Sequence, residues 1–137
     1  MSFAGINYLA VIIAALAAFG LGAVWYMVLA KPWVRATGKT EAELKKEGSG
    51  KALPFIICLL ALLVMAWMLA GLVGHIGNVT VRGGMISGAF VWTGFVITTM
   101  GVNHTFGGQK PMLTLIDGGY WLAVLVLMGA VIGAFGV

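Results

Sequence analysis

Charge is what this chain lacks. Charged residues make up 9% of its 137 positions, against a hydrophobic share of 61% and a mean hydropathy of +1.06, whereas roughly a quarter of a soluble chain is charged. That shortage excludes a water-soluble domain with a solvated surface. Cysteine occurs once, at Cys58 within an apolar run, which excludes an intrachain disulfide and leaves a small buried hydrophobe as its ordinary role. Metal centres need clustered thiolates, imidazoles or carboxylates. With one cysteine, two histidines and four acids, neither a metal nor any other cofactor is expected. No Lys or Arg precedes the first apolar run, so the basic start of a secretory signal is missing and the first helix is expected to be retained.

What is present in quantity is apolar sequence, in runs long enough to cross the ~20-residue hydrocarbon core. The expected fold class is all-α: an integral membrane four-helix bundle forming a single membrane domain over residues 1–137, with spans at about 7–29, 53–74, 83–102 and 113–136. Six of the eight basic residues, Lys31, Arg35, Lys39, Lys45, Lys46 and Lys51, fall between the first two runs. By the positive-inside tendency the loop 31–51 is cytoplasmic, both termini lie outside, and the partner of the lysines is an anionic headgroup surface of the bilayer, not nucleic acid. Within the loop, Thr40 and Glu43 make a capping box, Gly48 stands where a helix would stop, and a short amphipathic surface helix over 41–47 is expected, with Leu44 inward. The segment Ala36-Thr37-Gly38-Lys39-Thr40 is no phosphate loop, because position 33 is Trp33 where that motif needs glycine.

Small residues recur at helical spacing. Ala10, Ala14, Ala18 and Gly22 form a stripe on the first span, which also takes in Asn7; Gly84 and Gly88 form a G-x-x-x-G pair on the third, and Gly129 and Gly133 another on the fourth. Lipid offers no hydrophobic drive between helices, so surfaces where backbones approach closely are what hold spans together. These faces exceed the apparent needs of one small bundle, and a homo-oligomer is expected. Asn7 is a candidate for binding or transport, with an interhelical hydrogen bond as its expected role, and Ser87 is expected to serve packing.

The polar chemistry concentrates between Asn103 and Trp121. Asp117 is the only acid outside the basic loop, and an intramembrane carboxylate needs a partner or lines a path. Three readings stay open for it: a helix cap or structural salt bridge, a transport or binding role with His104, Asn103 and Tyr120, or acid–base catalysis. His104 and Lys110 are its candidate partners, and His104 with Asp117 would make a proton-accepting pair. On the helical wheel, Tyr120, Trp121, Val124 and Met128 share the Asp117 face while Gly129 and Gly133 lie away from it, so that face is expected to meet a partner subunit or a wet cavity. His75 and His104 fall at opposite ends of their spans, about a bilayer thickness of ~30 Å apart, which excludes one haem clamped between them in one chain.

Asn7-Tyr8, Gly22-Ala23-Val24-Trp25-Tyr26, Lys31-Pro32-Trp33 and Ile116-Asp117-Gly118-Gly119-Tyr120, in this order and spacing, resemble the small bacterial membrane proteins grouped as the domain of unknown function 1761 family. The resemblance implies a four-helix protein of the bacterial inner membrane with recurrent Trp-Tyr and Ile-Asp-x-Gly-Tyr segments, and no assigned activity. The first functional expectation is a small channel or transporter with a polar path at Asp117. The second is a non-catalytic scaffold or accessory subunit. The third is an enzyme acting on a lipid-like substrate through Asp117, His104 and Tyr120, although no catalytic residue is singled out.

Overall fold

The computed structural model describes residue 3 and residues 5–136. Helix α1 (Tyr8–Val28) leads into α2 (Ala30–Thr37), then α3 (Glu41–Leu44) with a π-helical turn at Lys45–Ser49, then α4 (Leu53–Ile76). Next come α5 (Val81–Val91), a second π-helical turn (Trp92–Val96) and α6 (Ile97–Phe106), stacked as one continuous helix, and finally α7 (Pro111–Phe135). Among the described residues all regular structure is helical, and four of the helical stretches, Tyr8–Val28, Leu53–Ile76, Val81–Phe106 and Pro111–Phe135, are long and apolar enough to cross a membrane. They alternate in direction, and α7 is the one the others pack around.

Local chemistry sets the boundaries. Pro32 has no N–H to return to the carbonyl of Val28, four residues back, and α1 ends at that residue. The chain bends at Leu29 and restarts as α2, which ends at Gly38 in a left-handed conformation (φ 72°). Thr40 caps α3 by accepting from the N–H of Glu43, as the capping box requires. The expected surface helix over 41–47 is corrected in two respects. It is one α-helical turn followed by a π turn that runs through Gly48 to Ser49, and it is preceded by α2, which the preponderance of basic residues in 31–51 had hidden inside a loop. Asn7 is corrected as well: its Oδ1 accepts from Ala10 N at 3.2 Å and caps α1, where an interhelical bond was expected.

The core is built from small and aliphatic side chains. Ala14, Ala15 and Ala18 of α1, Leu62 and Ala66 of α4, and Val124, Met128 and Ile132 of α7 are fully or almost fully enclosed. The Ala10, Ala14 and Ala18 stripe thus packs inward, and Gly22 continues it by leaving room for Tyr120. The two G-x-x-x-G pairs pack on each other within one chain. A methyl group at Gly84 would overlap the carbonyl of Gly129, one at Gly129 the carbonyl of Gly84, one at Gly88 the carbonyl of Leu125, and one at Gly133 the carbonyl of Thr80. Helices α5 and α7 therefore touch backbone to backbone, and the glycine faces need no second chain to occupy them. The outward surface is apolar to a degree unusual for water: Phe106 is 91% exposed, Met27 75%, Phe90 74% and Phe95 74%.

Candidate functional site

The site forms where the last turns of α1 and the start of α2 meet the first third of α7. Asp117 lies six residues beyond Pro111, about 9 Å along the helix at 1.5 Å per residue. It is therefore too far in to cap α7, whose N-cap position is Lys110. The cap reading is overturned. Instead, Asp117 Oδ1 accepts two hydrogen bonds from aromatic donors, Tyr26 Oη at 2.7 Å and Trp33 Nε1 at 3.2 Å. Two donors aimed at one oxygen leave no room for a proton there, and Oδ2 carries no hydrogen bond among the described residues.

Every neighbour of Asp117 in its own segment contributes to holding it. Trp25 Nε1 donates to the carbonyl of Ile116 at 3.1 Å, and Gly119 makes this possible because a methyl there would press on the Trp25 ring at 3.0 Å. Trp92 Nε1 donates to the carbonyl of Gly118 at 2.8 Å from the other side. Tyr120 Oη donates to the carbonyl of Ala18 at 3.0 Å, seated over Gly22. Trp92 opens the π-helical turn of the third long helix, where the N–H of Ile97 reaches back five residues to the Trp92 carbonyl. Such a turn shifts the register of the helix beyond it, and here it lies between an upper half that packs on glycines and a lower half that contacts the start of α7.

A cavity of about 710 Å³ opens beside the carboxylate. Asp117 forms part of its floor, the aromatic rings of Phe19, Tyr26, Trp33, Phe55 and Tyr120 form much of its wall, and among the described residues no Lys, Arg or His lines it. The rings brace one another edge to face: Tyr26 and Tyr120 have centroids 5.4 Å apart, Tyr26 and Trp33 6.0 Å.

Of the five polar candidates for binding or transport, Asp117 and Tyr120 share this cavity, while the other three lie elsewhere. His104 Nδ1 is within hydrogen-bonding distance of Thr114 Oγ1 at 2.7 Å, Asn103 is exposed, and Asn7 caps the far end of α1. Lys110 donates to the carbonyl of Arg35 at 3.2 Å, tying α7 to the end of α2. Neither expected partner takes the carboxylate, and among the described residues the one ion pair joins Lys39 to Glu47 in the basic loop. The expected proton-accepting pair and the structural salt bridge at Asp117 thus both give way to neutral aromatic donors. Trp25, Tyr26 and Trp33, with Lys31 among them, have the composition of an interfacial anchor. The signal available for their real role was depth, since a carboxylate near the start of one span needs donors at the same level, and the end of the first span holds three.

Fold and site together define a small helical protein with four segments apolar enough to cross a membrane and one carboxylate held by tyrosine and tryptophan at the edge of a cavity. The chain matches, over residues 9–133, the family described as "Protein of unknown function (DUF1761)", and it belongs to that family. No curated protein and no solved structure matches it. The Ile116-Asp117-Gly118-Gly119-Tyr120 segment that carried the resemblance is the segment the four aromatic donors Trp25, Tyr26, Trp33 and Trp92 converge on, with Tyr120 reaching out to α1.

Proposed function

We propose that the chain is a four-helix protein of the bacterial inner membrane that binds a small, largely apolar molecule in the cavity at Asp117 and acts as a carrier for it. The single observation that carries this reading is the cavity of about 710 Å³ with a half-free carboxylate on its floor. Its volume falls within the roughly 300–1,000 Å³ range of small-molecule sites, and apolar walls with a few placed polar groups are what such sites have. Four long apolar helices with exposed phenylalanines support insertion. The basic loop 31–51 then faces the cytoplasm and puts the cavity near the cytoplasmic leaflet.

A carrier is favoured over a channel by what lies beyond the cavity. Toward the other end of the helices the centre is filled by Leu62, Ala66, Val73, Val124, Met128 and Ile132, all fully or almost fully buried. An aqueous path through one chain would have to pass this apolar plug, and Asn103 and His104 do not line the cavity that would start it.

The test is saturable binding of a neutral apolar fluorophore, N-phenyl-1-naphthylamine, to the purified chain in non-ionic detergent. Ala23 lines the cavity from an exposed position on α1, so Ala23→Trp fills the space without entering the core. Binding should saturate in the unaltered chain and vanish in Ala23→Trp at unchanged unfolding temperature. Equal signals from the two proteins would end the proposal.

A further inference from the structure

We infer that the molecule the cavity takes is a lipophilic organic cation: an ammonium- or phosphonium-type charge on an apolar body, drawn from the membrane phase. This rests on the reading of the cavity as a binding site and adds the chemical class of its occupant. The argument begins with the polar atoms around the carboxylate. The hydroxyl of Tyr26 and the indole N–H of Trp33 are already directed to Asp117 Oδ1, and the hydroxyl of Tyr120 to the carbonyl of Ala18. These three groups therefore have no hydrogen left for an anionic or carbonyl ligand, and what they offer a guest is the lone pairs of the two hydroxyl oxygens and their aromatic rings. The second carboxylate oxygen is the remaining strong acceptor on the floor.

The charge of the lining points the same way. Among the described residues Asp117 is the only carboxylate that lines the cavity, and no Lys, Arg or His stands among the lining residues. An anion entering the cavity would meet a like charge with no basic side chain in the lining to offset it; a cation would meet its counter-ion. The walls add to this, because Tyr26, Trp33, Phe55, Tyr120 and Trp121 line the space with aromatic rings, and the faces of such rings attract a poorly hydrated cation through their quadrupoles. A compact ammonium such as a lysine head holds its water tightly, so the walls select charges buried in hydrocarbon. A carboxylate among aromatic rings in an apolar space of this size is complementary to one combination of properties: positive, weakly hydrated and greasy.

Position separates a dissolved solute from a lipid headgroup. In the proposed crossing scheme Asp117 lies about 9 Å along α7 beyond Pro111, so the ammonium of a phospholipid would have to leave the headgroup layer to reach the carboxylate.

The experiment uses the full chain in non-ionic detergent and a matched pair of ions, tetraphenylphosphonium and tetraphenylborate, which share shape and greasiness and differ in sign. Tetraphenylphosphonium should bind saturably and displace N-phenyl-1-naphthylamine, and tetraphenylborate should do neither. Asp117→Asn should weaken the cation by about tenfold or more. Added phosphatidylethanolamine, at equal moles to protein, should leave the cation bound. Equal binding of the two ions, an unchanged affinity in Asp117→Asn, or displacement by phosphatidylethanolamine would each overturn the inference. If Asp117→Asn does not accumulate, the two ions on the unaltered chain still decide. Saturable fluorophore binding without cation displacement sinks the cation class alone, whereas no saturable fluorophore binding sinks the cavity reading beneath it.

Discussion

Replacing Gly84 by alanine adds one methyl group to the contact between α5 and α7, and the structure places that methyl on the carbonyl group of Gly129. Carbon and carbonyl oxygen do not approach closer than about 3.3 Å even in favourable Cα–H···O contacts, so the two helices must part by on the order of an ångström. The neighbouring approaches, Gly88 on Leu125 and Gly133 on Thr80, lie along the same seam and open with it. A radial gap of 0.5–1 Å forfeits roughly a quarter to a half of each dispersion well, and in lipid no hydrophobic term offsets the loss. Gly84→Ala should therefore destabilise the chain by about 1–3 kcal/mol, the usual cost of overpacking. Gly101→Ala is the control, because a methyl there meets nothing within 4 Å; it should be neutral or stabilising by up to about 1 kcal/mol through helix propensity. The assay is unfolding of the purified protein in mixed micelles as the denaturing detergent fraction is raised, followed by circular dichroism. Equal stability of Gly84→Ala and Gly101→Ala would refute the packing argument. The loss should also be the same at every protein-to-detergent ratio, since the seam lies within one chain; a loss that grows on dilution would place the glycines between chains instead.

Three further outcomes concern the site and the helix ends. Tyr26→Phe removes one of two hydrogen bonds to the carboxylate and should cost roughly 1.5–3 kcal/mol in the same unfolding assay; in an Asp117→Leu background it should cost little, and equal costs in both backgrounds would disconnect the two residues. Asn7→Ala should cost about 0.5–2 kcal/mol as the loss of an N-cap, with the apparent mass in detergent unchanged; a shift in mass would return Asn7 to an interhelical role. In a Cys58→Ser background, Lys46→Cys should react only with a thiol reagent that has crossed the membrane and Arg82→Cys with an impermeant one added from outside; the reverse pattern, or both residues on one side, would break the proposed crossing scheme.

What the sequence made legible was what depends on a single helix at a time. Apolar run length marked the four long helices to within a few residues at most ends, Thr40 and Glu43 marked the start of α3, and the alanine stripe of α1 marked its inward face. The need of Asp117 for partners was readable too, but their identity was not. Tyr26 and Trp33 lie 91 and 84 residues away along the chain, and a helical wheel gives each span's faces without saying which faces meet. For the same reason the two glycine pairs could be read as faces for close packing on a neighbouring helix, but not as partners of each other. Helix α2 was missed because Lys31 and Arg35 on its outer side dominate the composition, while Ala36 on its inner side is buried against Leu113 and Ile116. The π-helical turn at Trp92–Val96 leaves no periodic trace, since it breaks the pattern that would reveal it.

One wall of the cavity differs from the others in how it is fastened. Helices α1, α2 and α7 are laced together by the bonds of Trp25, Tyr26, Trp33, Tyr120 and Lys110, whereas among the described residues no side-chain hydrogen bond joins α4 to any other helix. Yet Pro54, Phe55 and Cys58, from the first turns of α4, close one side of the space. Swinging that end aside breaks no polar link and leaves the grip on Asp117 intact. A guest would therefore enter past α4, and stapling its first turns to α1 should trap whatever is already inside.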